Sequence, residues 1–184
     1  MDALAQFDVI VPTFQKLAAA TAQDQLDVQT PCEEWKVRDL FGHIIVGATT
    51  FAAAVRGDEP PADVSVGVDE AMTATANAAL VDIDDAFRQP GALERDVVTP
   101  FGEMPGDTFA RLLAFDLLMH SWDLATSTGQ PLVVPDDVVA EVDGFARAAL
   151  APEMRGPGTF GPEVEPAPDA SRIERLVAFS GRVR

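Results

Sequence analysis

The chain has no tyrosine, a single cysteine and only two histidines among 184 residues, and each scarcity narrows what it can be. One cysteine, Cys32, cannot close an internal disulfide, so a reducing cytoplasm is the expected compartment. Positive charge is also scarce: 13 Lys plus Arg stand against 30 Asp plus Glu, a formal net charge of −17. Such a chain repels phosphate backbones and anionic membrane surfaces, which argues against nucleic acid as a partner. No run reaches the roughly 18 uncharged apolar residues of a membrane span, because Asp, Glu or Arg interrupts each one. The N-terminus, MDALAQFDVI, lacks the basic region and cleavage site of a signal peptide.

What the chain does have is 47% hydrophobic residues, enough for one domain with a substantial core. Apolar residues recur at helical spacing over Leu4 to Thr21, about Val37 to Arg56, Asp69 to Phe87, Phe109 to Thr128, Asp136 to Leu150 and Ala170 to Ser180. Pro12 lies inside the first of these and is expected to kink it. Thr30-Pro31-Cys32-Glu33 reads as the cap of the second, with Pro31 at the first helical position and Glu33 reaching back. Asp107 reads as the cap of the fourth and Asp169 as the opening of the last. Between the third and fourth, the valine-bearing Leu93 to Thr99 followed by Pro100, Gly102, Pro105 and Gly106 fits a short irregular or hairpin-like excursion. The expected fold is all-α: a helical bundle with a core over about 1–150, a Pro/Gly-rich arm over 151–168 and a C-terminal helix over 169–181.

Both histidines sit in the middle of apolar helical runs. On a helix, Asp116, His120 and Asp123 fall at i, i+4 and i+7, and His43 follows Asp39 by four residues. Leu112, Leu113, Phe115, Leu117, Leu118, Met119, Trp122 and Leu124 surround the first set, which points to a largely buried helix. A buried carboxylate one turn before a buried histidine is costly unless something pairs them. A divalent cation shared with His43 would satisfy both, and two histidines with one carboxylate leave coordination positions open, as catalytic sites do. Either aspartate, Asp39 or Asp116, could ligate or orient an imidazole. The plainer reading is that the histidines are structural, held by carbonyls or water. Cys32, Trp35 and Trp122 read as packing residues, and the acidic runs Asp82-Ile83-Asp84-Asp85 and Asp136-Asp137 as solvated faces or caps.

Three motifs carry a resemblance: Thr30-Pro31-Cys32-x-x-Trp35-x-Val37-Arg38-Asp39-Leu40-x-x-His43, then Phe101-Gly102-Glu103-Met104-Pro105, then Asp116-x-x-x-His120-x-Trp122-Asp123-Leu124-Ala125. Over residue 1 to about 150 the chain resembles the DinB-like metal-binding four-helix-bundle family, in particular the branch of the mycothiol-dependent maleylpyruvate isomerase metal-binding domain. The ending Arg175-Leu176-Val177-Ala178-Phe179 is similar to that branch too. The resemblance implies a divalent metal held by His43, Asp116 and His120, zinc first, with nickel, iron or manganese as alternatives. It implies Asp123 as a catalytic residue, and mycothiol or a similar low-molecular-weight thiol as cosubstrate, reacting with a small-molecule electrophile in S-transfer or isomerisation. The family has glutamate where this chain has Asp116, a side chain one methylene shorter that needs a closer helix or a bridging water. The isomerase also carries a further domain after the bundle, so maleylpyruvate does not follow as the substrate. A metal- or small-molecule-binding module without turnover is the alternative. Bundles of this type often pair through helix faces, which makes a homodimer one reading of the assembly. Arg38 and Arg111 lie near the motifs, with nothing in the sequence to aim them inward.

Overall fold

The computed structural model describes residues 1–32, 34–67, 69–150, 155–156 and 160–182. Its helices are α1 (Ala3–Ala19), α2 (Val37–Arg56), α3 (Asp69–Phe87), α4 (Gly106–Thr128), α5 (Asp136–Ala149) and α6 (Arg172–Phe179), with a 3-10 turn at Gln23–Asp27. Strands β1 (Asp96–Thr99) and β2 (Gly102–Pro105) form an antiparallel hairpin that pairs Asp96 with Pro105 and Thr99 with Gly102. The hairpin expected between the third and fourth helices is therefore present, inside an otherwise helical protein. Among the described residues no helix is long and apolar enough to cross a membrane.

Helices α1 to α4 make the bundle. Helix α2 packs along α3 and α1 along α4, and lighter α1–α3 and α2–α4 contacts close the square. Helix α5 lies on α4, and α6 on α5. The core runs through Ile10 and Phe14 of α1, Leu40 and Phe41 of α2, Phe87 of α3, and Phe109, Phe115, Leu118 and Leu124 of α4, each under 2% exposed. Burying each such side chain contributes about 1.5–3 kcal/mol relative to leaving it in water. Edge-to-face pairs of Phe14 with Phe41 and Phe7 with Phe87 lock neighbouring helices together. Pro12 sits on the exposed side of α1, and the helix carries on through it.

Three helix caps differ from the sequence expectation. Helix α2 begins at Val37, where the Asp39 carboxylate accepts the Lys36 N–H at 2.9 Å. Thr30 is not its cap: Thr30 Oγ1 donates to the Trp35 and Cys32 carbonyls and closes the turn before the helix. The expected role of Glu33 lies outside the described residues, as does much of the 151–168 arm. Asp39, spent on the cap and exposed, does not orient His43. Helix α4 begins at Gly106, one residue before Asp107, whose carboxylate instead holds Arg111 one turn on at 2.8 Å. Helix α6 begins at Arg172, because Ser171 and Glu174 satisfy each other's backbone N–H groups there and Asp169 does not. Helix α1 begins and ends within two residues of its expected bounds.

Gly106 fixes where α4, the helix of Asp116 and His120, enters the bundle. Its N–H donates to the Arg95 carbonyl at 2.9 Å, and a Cβ there would lie 2.0 Å from the Ala92 carbonyl oxygen. The obstacle is backbone, tied to the end of α3 by the Ala92 N–H to the Gln89 carbonyl and to the start of α4 by the Asp107 N–H to the Leu93 carbonyl, so it does not swing aside freely. Gly106→Ala is expected to cost about 3 kcal/mol, the upper end of overpacking penalties, as a lower denaturant midpoint at unchanged m-value. The corresponding Gly144→Ala, with open space around its Cβ, should not destabilise.

Candidate metal centre

His43 of α2 and Asp116 and His120 of α4 meet on the face where these two helices cross. His43 Nε2 lies 3.3 Å from Asp116 Oδ2, and His120 Nε2 lies 3.5 Å from Asp116 Oδ1. One donor atom from each of the three falls within 4.8 Å of the others. Both imidazoles thus turn Nε2 toward one carboxylate, and the two rings meet edge to face at 4.7 Å. The shorter aspartate reaches both histidines directly. The side chains of His43 and Asp116 are 37% and 29% exposed, whereas that of His120 is 5% exposed. The triad is rooted in the core and open on one side.

Behind His120 is a second, largely buried layer. His120 Nδ1 donates to Asp123 Oδ2 at 3.0 Å, which leaves Nε2 as the nitrogen facing Asp116. Asp123, on the next turn of α4, is 0% exposed. Arg182, just past α6, grips it with Nε to Oδ1 and Nη2 to Oδ2, both at 2.8 Å. The Cys32 thiol donates to the same Oδ2 at 3.5 Å. Gly181 makes the Arg182 approach feasible: its φ is +87°, and a Cβ there would sit 2.5 Å from Gly161 backbone.

The electrostatics follow from these pairs. Burial works against the Asp116 carboxylate, but the charge and hydrogen bonds of His120 and His43 outweigh it and hold its pKa well below the usual range. Burial likewise opposes the charged form of His120, yet Asp116, and then the hydrogen bond to Asp123, raise it to about 9. Asp123 is lowered despite its burial by the His120 hydrogen bond and the Arg182 guanidinium. Cys32 is pushed up to about 12, first by burial and then by the charge of Asp123, so it stays a thiol.

Two donor groups of three exist among the described residues: His43 with Asp116 and His120, and Cys32 with His120 and Asp123. The second suits a cation poorly, because Asp123 already carries Arg182 and Cys32 holds its proton. The first suits one well: two imidazole nitrogens and a carboxylate of lowered pKa, one imidazole oriented from behind by a buried carboxylate, and an open fourth side.

Several site residues escaped sequence reading. Trp35 is more than packing: it stacks on His120 at 5.5 Å and leans over His43 at 4.9 Å, covering both imidazoles. Cys32 reaches the buried layer because the Thr30 turn folds it there. Arg182 was missed altogether, and its only signal was a cation two residues beyond an apolar helix ending in Ser180-Gly181. The arginines weighed in its place point elsewhere, Arg38 to Asp27 and Arg111 to Asp107.

A family model described as the mycothiol maleylpyruvate isomerase N-terminal domain matches residues 10–125. The chain belongs to that family. The matched span holds Cys32, Trp35, His43, Asp116, His120 and Asp123, and Arg182 lies beyond it. Two uncharacterized proteins of Mycobacterium tuberculosis, MT0763 of strain CDC 1551 / Oshkosh and Rv0738 of strain H37Rv, are each 34% identical over 184 residues, covering 99% of this chain and 98% of theirs. Solved structures of the mycothiol-dependent maleylpyruvate isomerase and of a histidine-to-alanine mutant superpose with TM-scores of 0.61 and 0.62 at 15% identity, over 77% of this chain. That likeness is one of fold. This chain spans 66% of the isomerase's length.

Two outcomes test the layered arrangement. Arg182→Met leaves the buried Asp123 carboxylate with only His120 and the Cys32 thiol as partners and should cost about 3 kcal/mol in denaturant unfolding, while the Asp123→Asn/Arg182→Met double variant should cost less than the single one. The second concerns His120, which binds its proton more tightly in the folded chain than its ordinary value of 6.5 allows. Its stabilising share is therefore whole below pH 6.5 and lost as pH rises through about 9. Chelator-treated protein should lose stability across that window, and His120→Gln should lose less.

Proposed function

We infer that this chain is a divalent-metal-dependent, thiol-using S-transferase or isomerase acting in the cytoplasm, with His43, Asp116 and His120 as the metal ligands and zinc as the first candidate ion. The observation that carries this reading is the convergence of three donor atoms on an open face, with His120 anchored from behind by Asp123. Membership of the mycothiol maleylpyruvate isomerase N-terminal domain family supports mycothiol, or a thiol like it, as cosubstrate.

A divalent cation at this site would supply the positive charge that keeps a bound thiol ionised at neutral pH. The chain's own residues do the rest. Asp123 and Arg182 hold the His120 ring in one tautomer and one orientation, so that Nε2 stays aimed at the open face. Trp35 shields the same imidazoles from bulk water. The buried Asp123, held by Arg182 and in contact with His120 Nδ1, would serve the reaction by orienting that imidazole. His43, part-exposed at the rim, would hold the ion through Nε2, and the proton lost by the thiol would pass to solvent on the open side. In the reaction the sulfur forms a bond to an electrophilic carbon. The proton released from the thiol then either returns to the adjacent carbon or leaves with a displaced group. Isomerisation results when the addition reverses after rotation about the former double bond.

Elemental analysis of untagged protein should find about one divalent ion per chain, lost in His43→Ala and in His120→Ala. The Asp123→Asn/Arg182→Met variant, which removes both charges of the buried pair, should weaken metal affinity or thiol-dependent turnover by about 10- to 100-fold. Protein that takes up no zinc, nickel, iron or manganese would end the enzyme reading. Bound metal with no thiol consumed would leave a binding module.

A further inference from the structure

The candidate metal centre opens onto two connected spaces. One is a groove of about 810 Å³ along the outer face of α2, walled by Trp35, Val46, Phe51, Val66, Met72 and Pro100. The other is a slot of about 40 Å³ that runs inward between the helices, past Leu80, Ile83, Leu113 and Leu117 to Phe7. His43, Gly47 and Phe51 line both, so the slot begins where the groove meets His43. Asp116 lines the slot. The groove has the size of a small-molecule site, and the slot admits a few carbon atoms and no more.

Space is kept open here at a cost. Gly42 and Gly47 both lie inside α2 on the groove side, where glycine is about 1 kcal/mol worse than alanine. No backbone contact requires either: a Cβ on Gly42 would meet nothing nearer than Val66 at 3.9 Å, and one on Gly47 nothing nearer than the Phe51 ring at 3.6 Å. Their effect is to leave the surface around His43 bare. Val46, between them, is 42% exposed in the groove.

The charge of these walls is the deciding feature. Among the described lining residues the only permanent cation is Arg38, and its guanidinium is held by both oxygens of Asp27 at 3.1 Å. Asp39 adds negative charge, in a chain whose net charge is −17, and at the metal site the Asp116 carboxylate and the thiolate would together offset the charge of a divalent ion. A dicarboxylate entering here would lose its hydration and find no free cationic side chain to replace it.

We propose that the groove and slot take the second substrate of the thiol reaction, and that this substrate is an uncharged, largely apolar electrophile with a small alkyl end for the slot. The substrate class rests on the thiol-enzyme reading above, whereas the ligand preference of the groove does not. A matched pair of probes separates the two: the neutral N-phenyl-1-naphthylamine and its sulfonated relative 8-anilino-1-naphthalenesulfonate, titrated by fluorescence into the whole chain. The neutral probe should bind about ten-fold tighter or more. Gly47→Leu, which fills the junction with a better helix former, should weaken it about ten-fold at unchanged far-UV circular dichroism. Val46→Lys, a change at an exposed position, should shift preference toward the sulfonate. Equal or tighter binding of the sulfonate by the parent, or indifference of the neutral probe to both variants, overturns the proposal. Probe binding as expected, in protein that consumes no thiol with the neutral enone cyclohexenone or with maleate, overturns the thiol-enzyme reading and the substrate role together, and leaves the groove as a site for neutral ligands.

Discussion

The ion pair between Asp123 and Arg182 is the interaction on which the site depends. A fully buried carboxylate on α4 is tolerable only because a guanidinium meets it with two short, parallel hydrogen bonds and His120 supplies a third. The pair joins the centre of the bundle to the last described residues of the chain. Whatever holds α6 in place therefore also holds His120 in place. Arg147 and Arg155 stack on Phe179 at the end of α6, and Phe160 stacks on Phe115 of α4, so the C-terminal segment is bound over the bundle by aromatic contacts as well as by charge.

The same pair separates two chemistries that the sequence places two turns apart. Asp116 and Asp123 lie seven residues apart on one helix and flank one histidine. Among the described residues Asp116, on the open side, pairs with no cationic side chain other than the histidines, whereas Asp123 faces inward and is neutralised. A cation competes at the first only with the His120 proton, and at the second with an arginine that never loses its charge. Environment, not residue type, makes one aspartate available to a metal and the other a support for it.

Much of this was legible beforehand because it depends on periodicity. The spacing of Asp116, His120 and Asp123 follows from 3.6 residues per turn, and matched settings for His43 and His120 suggested facing helices. The family resemblance rested on those same positions. Helix starts were less legible, since Thr30, Asp107 and Asp169 all look like caps and local geometry gives the role to Asp39, Pro105 and Ser171 instead. Arg182 was illegible for a physical reason. No periodicity links it to α4, and an arginine near a chain end usually lies in solvent. Only the fold reveals that Gly161 and Gly181 let the backbone approach closely enough to bury it. Trp35 was seen as an apolar residue, which it is, but its partners are imidazoles.

The division between shared and individual features bears on what the chain acts upon. Residues 10–125, the span that matches the family, include the three candidate ligands, and the solved isomerase shares the bundle at 15% identity. A helical frame of this kind can hold the same donors at the crossing of two helices while nearly every other side chain changes. The groove is built partly from that frame, through Gly42 and Gly47, and partly from connections that pack on it, through Val66 and Pro100. Connections vary more readily than helices that must pack on four sides. In the proposed reading the helix crossing would set the chemistry at the sulfur, and the loops at its rim the choice of partner molecule. A chain can keep the first and alter the second without disturbing its core.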